Sequence, residues 1–138
     1  MRMASGRIEI ETDGPGFTNL TSAIRSWLAG HHAGDGLLSL FVRHTSASLT
    51  IQENADPDVR RDLMVALARL APEDGPWRHQ QEGPDDMPAH VKAALTDTAL
   101  TLPIRSGTLP LGTWQAVYLI EHRRAPHLRE VIMQYFGS

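Results

Sequence analysis

From Thr98 to the C-terminus the chain reads as three β runs, "TALTLPIR", "TWQAVYLIEHR" and "LREVIMQYF", separated only by "SGTLPLG" and "RAPH". That arrangement leaves few folds open. The runs are rich in Leu, Val, Ile, Thr and aromatic residues, and the breaks carry the Gly and Pro that turns need. Neither break has the dozen or more residues of a parallel crossover, so successive runs are expected to pair antiparallel.

The N-terminal half adds more of the same. "GRIEIET" alternates apolar and polar residues before Gly14, Pro15 and Gly16 force a turn, and "LLSLFVRH" followed by "TSASLTIQE" gives two further strands or one bent one. Helical spacing occurs at Phe17, Leu20, Ile24, Trp27 and Leu28, with Thr18 or Asn19 placed as cap and Gly30 as stop. Asp56 and Pro57 open a second helix whose stripe is Val59, Leu63, Leu67 and Leu70, ended by Pro72. After an irregular segment to Pro84, Asp86 or Met87 caps a short helix that runs to Leu95, with Pro88 in its first turn. The prediction is one α+β domain over residues 1–138: a largely antiparallel mixed sheet packed by two amphipathic helices plus one short helix.

Charge and composition remove several functions. A net charge of −3 lacks the basic excess of a general nucleic-acid binder, and no apolar run approaches the ~20 residues of a membrane span. The expected location is the cytoplasm. With no cysteine, any metal must be held by histidine, carboxylate or water.

Two segments concentrate side chains able to do chemistry. In "RHTSASLTIQEN" the strand end supplies His44 and the hydroxyls of Thr45, Ser46 and Ser48, and Glu53 and Asn54 stand just before the second helix, whose N-terminus favours anions. In "HQQEGPDDMPAHVKAAL", His79 and His90 lie eleven positions apart around Glu82, Asp85 and Asp86. Such spacing is no compact zinc motif, and the polar residues of a loop need no function. Still, loop and helix-start positions let both imidazoles reach a centre also open to His44. One acid caps the helix; another could hold Mg²⁺ or orient a histidine. On the long strand Gln115 and Glu121 share a face, which makes them site residues if that face meets a pocket and ordinary outward residues if it meets solvent.

Three segments in order, "HTSASLTIQENADPDVRRDL", "RHQQEGPDDMPAHVKAAL" and "LPIRSGTLPLGTWQAVYLIEHR", resemble the signature blocks of the YjbQ-like family, described as secondary thiamine-phosphate synthases. Trp77 stands where that family usually has Tyr, Gln80 and Gln81 where it has an acid nearby, and the position of His122 varies there. The resemblance implies a compact α+β fold, a homotrimer, and a polar pocket carrying His44, His79 and His90. It also implies the joining of a pyrimidine diphosphate to a thiazole phosphate, a transferase reaction in which pyrophosphate departs.

The resulting site expectation names His44, His79, His90, Glu53 and Gln115 as catalytic, and Thr45, Ser46, Ser48, Asn54 and Arg105 as substrate-binding. It places His44, His79, His90 and Asp86 on a divalent metal, Zn²⁺ or Mg²⁺. The function expected is a small-molecule enzyme acting on a phosphorylated or pyrophosphorylated substrate. The alternative is a non-catalytic module that holds a metal, anion or metabolite in the same pocket; the lack of a Gly-rich phosphate loop counts against a dedicated nucleotide enzyme.

Overall fold

The computed structural model describes residues 1–138 and runs β1 (Arg2–Thr12), β2 (Gly16–Asn19), α1 (Thr21–Gly30), β3 (Gly36–Val42), β4 (Ala47–Glu53), α2 (Pro57–Leu70), α3 (Asp86–Leu95), β5 (Ala99–Ile104), β6 (Gln115–Glu121) and β7 (His127–Gly137). The α+β class holds and all pairing is antiparallel, but the expected pairing of successive runs does not occur: the strands divide between two sheets, and no two strands consecutive in the chain are neighbours. Four form the order β1-β7-β3-β5 and three the order β2-β6-β4, with every pair antiparallel. Alternation specifies which side chains share a face; it does not say which strand lies alongside.

The two sheets enclose one core. Leu38 and Leu40 of β3 and Val131, Met133 and Tyr135 of β7 join Leu49 of β4 and Val117 and Leu119 of β6, with Ile24 and Leu28 of α1 in the same cluster. β6 is the middle strand of its sheet and is buried from Ala116 to Glu121. Its other face lies under α2 and α3, where Ile120 and Thr50 line a small cleft of about 90 Å³ with Leu63 and Leu67. The outer face of the four-stranded sheet carries no helix. Across it Met3, Phe136, Leu37 and Pro103 stand in register as one apolar row, and Phe136 and Leu37 are about half exposed.

Three helix expectations change. Neither Asp86 nor Met87 caps the short helix: Asp85 holds the N-cap position without a side-chain cap bond, and the Asp86 carboxylate turns to His79, His90 and Arg123 instead. Phe17 belongs to β2 rather than to the first helix, which begins at Thr21; Asn19 Oδ1 accepts the Thr21 N–H. The α2 stripe faces the sheet only loosely, since no residue of that helix is fully buried and Leu70 is 66% exposed. Its start is as expected, with the Asp56 carboxylate accepting the Asp58 N–H and Pro57 at the first turn. No helix of the chain is long and apolar enough to cross a membrane.

Candidate metal centre

The short helix begins the site. Asp86 and His90 lie four residues apart on α3 and therefore on one face of it. Gly83, at φ +101°, supplies the left-handed turn by which the preceding loop enters α3, and that loop brings His79 to the same face. His79 Nε2 is 2.6 Å and His90 Nε2 is 3.1 Å from Asp86 Oδ2. The three ligand atoms lie within 4.8 Å of one another, with Asp86 buried and both imidazoles partly open.

What surrounds the triad fixes its orientation. Arg123 donates to Asp86 Oδ1 at 2.7 Å, to Asp85 Oδ2 at 3.0 Å and to the Glu82 carbonyl at 2.8 Å, tying the loop, the helix start and the end of β6 together. Burial acts to raise the Asp86 carboxyl but is outweighed by the hydrogen bond from His79 and by His90 and Arg123, which hold it below the usual carboxylate range. His90 Nδ1 lies 2.8 Å from the Thr45 carbonyl, which can only accept. A neutral imidazole has one N–H, so His90 can serve the carbonyl or Asp86, not both. With Nδ1–H on Thr45, two acceptors face each other across 3.1 Å, and a cation between them would resolve the conflict. Two imidazoles and one carboxylate, with Asp86 oriented by Arg123 and His90 by the Thr45 carbonyl, suit a divalent metal that keeps open positions.

A cleft of about 290 Å³, lined by His44, Thr45, His90, Ala93, Ala94 and Thr98, opens beside the triad. It shares His44, Thr45 and Thr98 with a second cleft of about 470 Å³ that extends to Arg43 and Arg129. On the far side of His79 a third, of about 250 Å³, is walled by Trp77, Gln80 and Pro84.

The other expected residues separate into two groups. His44 borders the site but is not in the triad: its Nε2 accepts the Glu130 N–H at 2.8 Å. Thr45 contributes its carbonyl, whereas Ser46 and Ser48 are buried and already engaged, Ser46 Oγ by Arg129 and Ser48 Oγ by His122 and Thr96. Glu53, Asn54 and Gln115, expected close to the histidines, stand at the opposite end of β4 and β6, where Glu53 pairs with Gln115. Seven residues of strand put them about 20 Å away. There Glu53 accepts the Ala55 and Asp56 N–H groups, Gln115 accepts the Gly112 N–H, and Asn54 and Gln115 line a separate cleft with Arg25. Arg105 follows β5 at its far end, because Ala99 pairs with Phe41 near the site and Ile104 with Gly36 away from it.

Sequence reasoning missed the support beneath. Glu121, which proves neither solvent-facing nor pocket-lining, is a buried carboxylate that accepts Thr12 Oγ1, Arg129 Nε at 2.7 Å, and the N–H groups of His122 and Arg123. Beside it the fully buried His122 has Nε2 at 2.8 Å from Ser48 Oγ and Nδ1 without a partner. Burial, followed by the Lys92 and Arg129 charges, pushes the His122 imidazole down to about 4. Folded protein therefore keeps it neutral where the unfolded chain, near the ordinary 6.5, has taken a proton. Between pH 6.5 and 4 the unfolded state binds more protons, so stability falls with falling pH, by a total of about 3 kcal/mol from this group. Urea melts across that range should show the decline, and His122→Gln should flatten it; an unchanged slope refutes this source.

The model of the family described as "UPF0047 protein YjbQ-like" matches residues 6–138. The UPF0047 protein sll1880 of Synechocystis is 54% identical over 130 residues, covering 94% of this chain and 88% of that protein. The UPF0047 protein YjbQ of Escherichia coli O157:H7 is 43% identical, covering 89% and 90%. Among solved structures, the conserved hypothetical protein TT1486 of Thermus thermophilus superposes with a TM-score of 0.84 at 42% identity, over 95% of this chain and 99% of that one.

Proposed function

The chain belongs to the YjbQ-like UPF0047 family, and from that premise we propose that His79, Asp86 and His90 hold one divalent cation and that the adjoining clefts take a small phosphorylated or pyrophosphorylated molecule for a transfer reaction. The observation that carries the reading is the pair of acceptors on His90, the Thr45 carbonyl and the Asp86 carboxylate, which one neutral ring cannot both satisfy. Imidazole donors favour zinc or another transition metal over Mg²⁺, which takes oxygen ligands.

When bound, the cation would polarise a phosphoryl oxygen and ease departure of the phosphate or pyrophosphate it carries. The chain's own residues do the rest. Asp86, braced by Arg123, keeps its charge and direction; the Thr45 carbonyl sets the His90 tautomer; Trp77 on one side, and Ala93 and Ala94 on the other, form the walls against water. The joining of a pyrimidine diphosphate to a thiazole phosphate falls within this class of reaction.

Elemental analysis of protein exposed to zinc, then washed, should give one metal per chain, and release of pyrophosphate from a pyrimidine diphosphate should require it. Metal uptake without turnover on any phosphorylated substrate would favour a binding module instead. We also propose that copies associate as a homotrimer, supported by the uncovered apolar row Met3, Phe136, Leu37 and Pro103. Light scattering should then give three times the 15.2 kDa chain, and a monomer at micromolar concentration would sink the assembly.

A further inference from the structure

Where β3 ends, a side chain replaces its backbone. Val42 pairs with Val131 of β7, and the Arg43 N–H still reaches the Glu130 carbonyl. The Glu130 N–H has no β3 carbonyl opposite it; His44 Nε2 accepts it at 2.8 Å. A backbone amide is an obligatory donor with no other role, so the Nε2 lone pair is spent. A neutral ring then carries its proton on Nδ1. That nitrogen has no partner in the chain and is not sealed from solvent, and the residue lines both the 290 Å³ cleft that His90 borders and the 470 Å³ cleft beyond.

We infer that His44 is a hydrogen-bond donor, through Nδ1–H, to an oxyanion oxygen of the ligand in the cleft beside His79, Asp86 and His90, and is neither a metal ligand nor a base. This rests on the reading of that cleft as the ligand site. Ligation through Nδ1 would move the proton to Nε2, where it would meet the Glu130 N–H. Burial and the nearby Arg129 charge lower the His44 pKa, which keeps the ring neutral near pH 7. A fixed N–H donor selects an acceptor, a phosphoryl or carboxylate oxygen, and turns away ammonium and amide N–H groups. Its action would resemble that of other preorganised donors placed where negative charge sits.

The test has two arms. Nitrogen-15 spectra of the full chain, with and without zinc, should show His44 as the Nδ1–H tautomer in both states. An Nε2–H tautomer, or a ring nitrogen shifted by the metal, overturns the inference. In the second arm, calorimetric titrations use inorganic phosphate and malonate as the two oxyanion probes, on metal-free and zinc-loaded protein. His44→Gln retains an oxygen able to accept the Glu130 N–H but has no N–H at the Nδ1 position, its amide NH2 sitting one bond further along the side chain, so it should keep its zinc and fold while the tighter-binding probe loses about 10- to 100-fold in affinity. Loss of zinc by His44→Gln marks His44 as a ligand and overturns the inference. So does equal probe affinity in the two proteins, or no binding of either probe by the wild type. Failure of the wild type to take up zinc defeats the metal centre alone; weaker probe binding by metal-free His44→Gln would still uphold the donor.

Discussion

Replacing Asp86 with Asn is expected to lower divalent-metal affinity by roughly 100-fold or more, since loss of a partner that only orients a ligand already costs 10- to 100-fold. The substitution is nearly isosteric. Asn can still offer Oδ1 to Arg123, and Arg123 keeps Asp85 and the Glu82 carbonyl, so the loop and the start of α3 stay tied to β6. What goes is the negative oxygen between His79 and His90. Competition with a metal-sensing dye measures the affinity, and thermal melting of the metal-free protein measures the fold. An Asp86→Asn protein that folds normally and binds zinc like the wild type would mean the three residues are a hydrogen-bonded loop anchor and nothing more.

The largest loss of stability is expected from Arg129→Met. Arg129 holds Glu121 through Nε and Nη2 and also donates to Ser46, and both charged side chains are almost wholly buried. Removing one partner strands a buried carboxylate, at a cost of about 3–5 kcal/mol. For a domain whose total stability is about 5–15 kcal/mol, that is a large fraction. The remaining donors, Thr12 Oγ1 and two backbone N–H groups, cannot cancel the charge. Adding Glu121→Gln to Arg129→Met removes that charge and should recover part of the loss. Urea melts of the two single variants and the double decide it; a loss below ~1 kcal/mol for Arg129→Met would show the pair to be solvated rather than structural.

How much of the site was legible depended on distance along the chain. The spacing of four between Asp86 and His90 is enough to put them on one helix face, although Asp86 read as a candidate cap, and the Pro- and Gly-rich stretch ahead of them read only as an irregular segment. Arg123 carried no signal, because its partners Asp85 and Asp86 are 38 and 37 residues away. Glu53 and Gln115 misled for a related reason. They adjoin functional-looking residues in sequence, but a strand carries its two ends about 20 Å apart. Ser46 and Ser48 looked like free hydroxyls until Arg129 and His122, brought from other strands, took them.

The sequence alone determined the local units: most of the strands and helices, the antiparallel character of the pairing, the exclusion of thiolate chemistry, and the spacing of four that puts Asp86 and His90 on one face. Each follows from dihedral preference, side-chain periodicity or residue type, which act over a few positions. Only the tertiary structure decided that the strands split into two sheets, that Glu121 and Arg129 meet in the interior, and that His79 closes on Asp86 while Glu53 and Gln115 do not. Those outcomes depend on which of several equally apolar faces bury against one another. That choice is set by the packing of the whole chain, and no short stretch of residues encodes it.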